Sequence, residues 1–339
     1  MATMDIFRQD AFSMISLTGV ADRLGYVPGL LSGMAGLYEP VPVRTVGVFI
    51  EEREHTPTVI PTSPRGGPPD QTGRERRTVR NFSTVRLADS SRIMADEIQG
   101  IRAYGSETEL KQVQEEVARR QLRMKRNMML TKEHMLLGMV QGLAVDADGS
   151  PIYNWATEFG RPIPAEVDFD LDNADPAPGA LRTKCSAVSR SITRALKGLG
   201  GAGVEIVGLS GDTFFDDLVA HPEARESYLH QEGAKLREPV AWREFVFGGI
   251  RFINYRGTDD GSTVAVNTNK CRFFPIGAGI FQWAMSPAER FQFVNTQGQE
   301  TYSWIVPDRD RDMWVDVEMY SYPLPICIAP DALAHAKRT

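Results

Sequence analysis

The residues best placed to do chemistry are a glycine run, an alternating acidic run, a serine between glycines and five scattered histidines. In GLGGAG, Gly198, Gly200 and Gly203 have the spacing of a dinucleotide-binding loop. That loop needs a strand before the glycines and a helix after them, so that the helix N-terminus faces a pyrophosphate. Here a helical stretch comes first and the strand-like VEIVGL follows, so the glycines read as a helix end turning into a strand. In DFDLDNAD, Asp168, Asp170 and Asp172 match the first alternating ligands of a calcium loop. Asn173 then stands where glycine is needed and Gly179 where a bidentate glutamate is needed, which leaves a solvated linker. Asp308, Asp310 and Asp312 alternate with Arg309 and Arg311 and read as surface ion pairs.

Ser210 lies in GLSG, short of the G-x-S-x-G nucleophile elbow, and reads with Asp212 as a helix cap. His55, His134, His221, His230 and His335 have no partners at metal-binding spacing, and no phosphate-binding P-loop is present. No catalytic residue, cofactor or metal is therefore expected. Cys185, Cys271 and Cys327 are odd in number and far apart, which fits a reducing compartment better than a disulfide framework.

Basic residues are more informative. Between Arg65 and Arg86 stand Arg65, Arg74, Arg76, Arg77, Arg80 and Arg86 against Asp70 and Glu75, a local charge of 6 minus 2, or plus 4. A second basic stretch holds Arg119, Arg120, Arg123, Lys125 and Arg126, although the chain as a whole carries 38 basic and 44 acidic residues for a net charge of minus 6. This segregation points to contact with acidic surfaces, on other copies of the chain or on nucleic acid, and excludes global nonspecific nucleic-acid binding.

The elements that carry these charges follow from breakers and periodicity. A length of 339 residues, 42% hydrophobic and 24% charged, provides for two or three packing units and excludes wholesale disorder. The N-terminus has no basic start before an apolar run, and no stretch reaches the roughly 18 apolar residues of a membrane span, so a cytosolic, unprocessed protein is expected. Residues 1–42 are dense in Gly and Pro yet contain Phe7, Phe12, Leu30 and Leu31, the composition of an extended docking arm. VRTVGVFIEE and TVRNFSTVRLA alternate as strands around a connector rich in Pro and Gly, giving a long hairpin over 43–88 in which Phe82 is an apolar contact.

SSRIMADEI reads as a short helix. From Ser106 to Leu137 no glycine or proline occurs, which predicts one long helix with Leu110, Val113, Val117, Met124 and Met128 in a single stripe. GLAVDADGSPIYNWATEFG reads as two extended segments of a hairpin turning at Asp148-Gly149, and it and a linker over 161–181 precede an α/β unit from about 183, while the last 50 or so residues read mostly as strand.

In this order the elements resemble one family. VPVRTVGVFIEE, the return RERRTVRNFSTVRLAD, the helix SETELKQVQEEVARRQLRMKRNMMLTKEHML and the ending DMWVDVEMYSYPLPICIAPDALAHAKR are similar to the lambda-like major capsid protein E family of tailed phages. The resemblance covers nearly the whole chain. It implies an α+β, Hong Kong 97-like fold: an N-terminal arm (1–42), an extended loop (43–88), a peripheral domain with its spine helix (89–182, helix about 106–140), an axial domain (183–280) and return strands of the peripheral domain (281–339). It further implies a noncatalytic subunit that self-assembles into hexamers and pentamers of an icosahedral shell around double-stranded DNA.

The arm residues Phe7, Phe12, Leu30 and Leu31 and the loop residues Arg65, Arg74, Arg76, Arg77, Arg80, Phe82 and Arg86 would be assembly contacts. The implied partners are a separate scaffold protein, a portal, a decoration protein and packaged DNA on the inner face, with no membrane, in a virion assembled in the host cytoplasm. The loop has no lysine between Val43 and Arg86, so shells without side-chain crosslinks are expected. An encapsulin-like compartment and a nucleotide-binding α/β enzyme are the competing readings.

Overall fold

The computed structural model describes residues 29–54, 76–100, 109–173, 175–197, 203–229, 244–255, 257, 264–311 and 313–339. In chain order its strands are β1 (Glu39–Pro42), β2 (Gly47–Glu54), β3 (Arg76–Ser83), β4 (Leu87–Met94), β5 (Leu143–Val145), β6 (Pro151–Asn154), β7 (Val167–Asp168) and β8 (Glu205–Ser210). They continue with β9 (Glu244–Phe247), β10 (Ile250–Asn254), β11 (Lys270–Ile276), β12 (Phe281–Met285), β13 (Tyr302–Pro307), β14 (Trp314–Ser321), β15 (Pro323–Cys327) and β16 (Ala334–Lys337). Helices occupy Ala95–Gly100, Glu109–Met139, Trp155–Phe159, Ala180–Leu196, Asp212–Ala220 and Pro222–Leu229.

The long helix has 31 residues and so spans about 46 Å. It carries Gly138 within its last turn because β5 passes there: a Cβ would meet the Val145 side chain at 2.6 Å and the Leu143 carbonyl at 3.2 Å. Val117, Met124 and Met128 pack against Ile93, Val317 and Met319 of the sheet β13-β14-β4, a small core separate from the main one. Leu110 and Val113 lie in the same helix, but their side chains are outside the described residues.

A six-stranded sheet in the order β7-β16-β11-β8-β10-β9 forms the larger unit, with β8 parallel to β10 and antiparallel to β11. Leu181, Cys185, Val188 and Ile192 of one helix and Phe214, Phe215 and Leu218 of another join its core. The same core continues without a break through Trp155, Leu136 and Phe82 to Leu31.

Several sequence expectations are corrected. Residues 29–42 belong to the body and not to a separate arm, because Leu31 and Leu37 are buried and β1 forms a parallel ladder with β12. Ser90–Met94, expected as helix, is strand: Ile93 pairs with Val315 and the ladder to β14 runs from Leu87 to Met94, so cross-strand packing overrides local propensity. The stretch from Thr78 to Ala88 is likewise two strands, broken at residues 84–86. WATEF, expected as the return of a hairpin, is a helix capped at its start by the Asn154 side chain, which accepts from Ala156 N at 3.1 Å, and closed by Gly160 at φ 64°.

The α/β unit does not end near residue 280. β16 pairs with β11, and β7, within the expected linker, pairs with β16, so segments on both sides of the expected 183–280 unit complete its sheet. A strand order that joins residues 167, 273 and 336 cannot be read from local patterning, since it depends on long-range pairing.

Candidate assembly surfaces

Ser210 and Asp168, two of the described residues whose types could do chemistry, are held in structural contacts. Ser210 is fully buried and its Oγ donates to the Ile253 carbonyl at 3.1 Å, tying β8 to β10. Gly211 beside it lets the 267–268 backbone pass, as a Cβ would run into Thr268 Cα at 2.5 Å. Asp168 accepts from Asp170 N at 2.8 Å and pairs with Lys337 at 3.4 Å, which locks a turn in which Asp170 adopts φ 49°. Among the described residues no group of three or more His, Cys, Asp or Glu side chains could hold a metal ion. All three cysteines are buried and free, and burial pushes the Cys185 and Cys327 thiols up to about 12. Gly198 and Gly200 lie outside the described residues.

The hairpin β2-β3 is the clearest surface. Its ladder sets Val48 opposite Phe82 and Ile50 opposite Arg80 on one face, and Phe49 opposite Asn81 and Glu51 opposite Val79 on the other. Strand alternation makes these two faces opposites. The first is seated on the chain's own body: Phe82 is buried among Tyr153, Trp155 and Phe159, and the Arg80 guanidinium lies 5.2 Å from the centre of the Phe159 ring. The second faces solvent, with Phe49 65% and Val79 62% exposed and an Arg77–Glu51 pair at 3.4 Å beside them. Phe82 is thus an anchor within the chain and not a contact offered to a neighbour, and among the described residues of β2 and β3 the exposed large apolar side chains are Phe49 and Val79.

Arg86 is also spent internally, on Glu289 at 3.2 Å and over the Tyr320 ring at 4.9 Å. Arg76 lies in β3 with its side chain outside the described residues, and Arg65, Arg74, Phe7 and Phe12 are outside them altogether. Leu31 is fully buried and Leu30 packs against the same core, so this pair belongs to the body rather than to a free arm.

Sequence reasoning missed a second exposed apolar point. Phe291, on a short turn between β12 and β13, is 99% exposed, with Val294 also exposed. The turn is rigidly held: Phe293 N bonds to the Arg290 carbonyl at 2.9 Å, and Phe293 packs edge-on to Tyr302 at 4.8 Å. Arg290 lies 4.0 Å from the centre of the Trp304 ring, and Trp304 stacks on Tyr320 at 4.3 Å. On the long helix, Arg120 is occupied by Glu97, Glu116 and Ser91, while Arg123 and Arg126 stand exposed. No helix among the described residues is long and apolar enough to cross a membrane.

The family model for phage major capsid protein E matches residues 13–338. The chain is 23% identical over 363 aligned positions to the major capsid protein of Salmonella phage Felix O1, with 96% of each chain covered. It is 28% identical to the major capsid protein of Pseudomonas phage KPP10, over 69% of this chain and 71% of that one. Among solved structures, the mature capsid of bacteriophage PhiM1 shares the fold, with a TM-score of 0.55 at 12% identity over 93% of this chain and 89% of that one. A match that runs through hairpin, long helix, sheet and final strands alike settles the identity: the chain belongs to the phage major capsid protein E family and is a structural shell protein with the Hong Kong 97-like fold.

Proposed function

We propose that the chain assembles, through hexamers and pentamers, into the closed icosahedral shell that encloses the double-stranded DNA of a tailed phage, with the hairpin lying across a neighbouring copy. One observation carries this reading. The hairpin is bolted to its own body on the Phe82 face and presents exposed Phe49 and Val79 on the other. An isolated two-stranded ribbon is marginal in water, and apolar residues held outward on it gain by burial against another chain. Phe291, fixed on its turn, is a second contact of the same type.

Arm residues Phe7 and Phe12 and loop residues Arg65, Arg74 and Arg76 extend the same contacts, and Arg77 flanks the exposed face. The peripheral unit comprises the long helix with β13, β14 and β4, and the axial unit the six-stranded sheet. Exposed Arg123 and Arg126 support nonspecific phosphate contact with packaged DNA. The shell is noncatalytic and held without covalent crosslinks. A separate scaffold protein, a portal and a decoration protein complete the particle in the host cytoplasm.

Deleting residues 54–76 tests the reading. The expected product is a soluble, folded protein that no longer closes into shells when expressed with its scaffold and viewed by electron microscopy. Closed particles of normal diameter from the deletion would overturn it.

A further inference from the structure

Lys132 and Glu133 are consecutive on the long helix, so their side chains leave it about 100° apart. Lys132 Nζ pairs with Glu300 at 2.5 Å and lies 5.3 Å and 5.4 Å from the centres of the Tyr38 and Trp283 rings. Glu133, only 6% exposed, turns to the other side. Its Oε1 accepts from Leu31 N at 2.8 Å and from the Tyr255 hydroxyl at 3.1 Å, and its Oε2 accepts from Ser32 N at 2.9 Å. Two neighbouring residues of opposite charge thereby hold the two ends of one segment, Gly29–Tyr38.

The segment is built to be held this way. Successive turns close through Gly33 N to the Gly29 carbonyl and Leu37 N to the Met34 carbonyl, and a Cβ on Gly29 would collide with the Glu133 carboxylate. Tyr38 leads directly into β1, whose partner β12 supplies Trp283. Tyr255 follows β10, so Glu133 also ties the segment to the six-stranded sheet. Apolar residues at positions 132 and 133 could fill the same volume without desolvating charge, and burying charges is costly unless every hydrogen bond is made. What the charges add is a single register for the segment.

We propose that Lys132 and Glu133 form a two-pronged latch that fixes Gly29–Tyr38 on the long helix, opens as one unit, and sets the point from which the chain before Gly29 reaches another copy. The latch itself stands on the geometry above. Only its consequence for assembly rests on the shell reading.

Hydrogen–deuterium exchange on the soluble full-length protein tests the latch. Glu133→Gln is expected to raise exchange of the Leu31–Leu37 amides about tenfold or more, as loss of a charge-assisted hydrogen bond implies. Lys132→Met is expected to raise exchange of the same Leu31–Leu37 amides and of those around Tyr38–Val41, as opening in one unit requires, and amides of β8 and β14 keep their protection in both. Both variants then give fewer closed particles than the native chain. Unchanged exchange in 29–41, or an equal rise through β8 and β14, overturns the latch. Local opening with native particle yield overturns its role in assembly. If the native chain itself forms no particles, the shell reading fails while the exchange result still decides the latch.

Discussion

Phe82 meets Trp155 edge to face, with ring centroids 5.1 Å apart and ring planes at 81°. Tyr153 and Phe159 complete the cage at 5.4 Å and 6.0 Å, so one residue of β3 bolts the hairpin root to the body. Phe82→Ala is expected to cost about 3–5 kcal/mol, the usual price of emptying a buried aromatic site. The urea midpoint should fall with its slope unchanged, and Phe82→Leu should lose less. A loss below about 1 kcal/mol would show that the cage does not hold the hairpin.

The opposite face of the same ribbon gives the reverse expectation. Phe49 and Val79 are exposed, so Phe49→Ser combined with Val79→Ser should leave subunit stability within about 0.5 kcal/mol of native. Assembly should nevertheless fail, which light scattering and sedimentation would record as subunits or small oligomers in place of particles. Native yields of shells from this variant would remove the hairpin face from the list of contacts.

This contrast marks how far the sequence could be read. Alternation in TVRNFSTV places Val79 and Phe82 on opposite faces, but not which face the body covers, because that depends on Tyr153, Trp155 and Phe159 some 70 residues on. The long helix was legible because breakers are local, and its stripe Val117, Met124 and Met128 was legible because a buried face keeps the helical period. Leu31 read as an arm residue since its surroundings are rich in glycine and proline, whereas Glu133 more than 100 positions away fixes it. Phe291 gave no periodic signal, and a lone aromatic in a loop shows its exposure only once the turn is built.

Thiol chemistry offers an independent check on the fold. Cys185, Cys271 and Cys327 are buried, and burial holds each thiol above its ordinary range, so the reactive thiolate is scarce at neutral pH. Iodoacetamide should therefore modify none of them in the native protein over an hour at pH 7.5, and all three in denaturant, as mass spectrometry would count. Rapid labelling of Cys271 under native conditions would contradict its position between β8 and β16, in the interior of the six-stranded sheet.

His335 connects that sheet to pH. It lies in β16 opposite Arg272, and burial first, with Arg272 adding to it, lowers its pKa to about 4. In the unfolded chain an imidazole titrates near 6.5. Above that pH both states are neutral and the residue has no effect on stability. Between about 6.5 and 4 the unfolded chain takes up a proton that the folded chain refuses, so stability falls as pH falls, and below about 4 the loss is complete. The full interval corresponds to at most about 3 kcal/mol, of which solvent screening of the half-buried ring leaves on the order of 1–2 kcal/mol. His335→Gln keeps a polar side chain without a titrating group. It should flatten the decline in unfolding free energy between pH 7 and pH 4.5 by that amount relative to the native chain, measured by urea denaturation at each pH. Parallel pH profiles for the two proteins would show that His335 is protonated as readily in the sheet as in water.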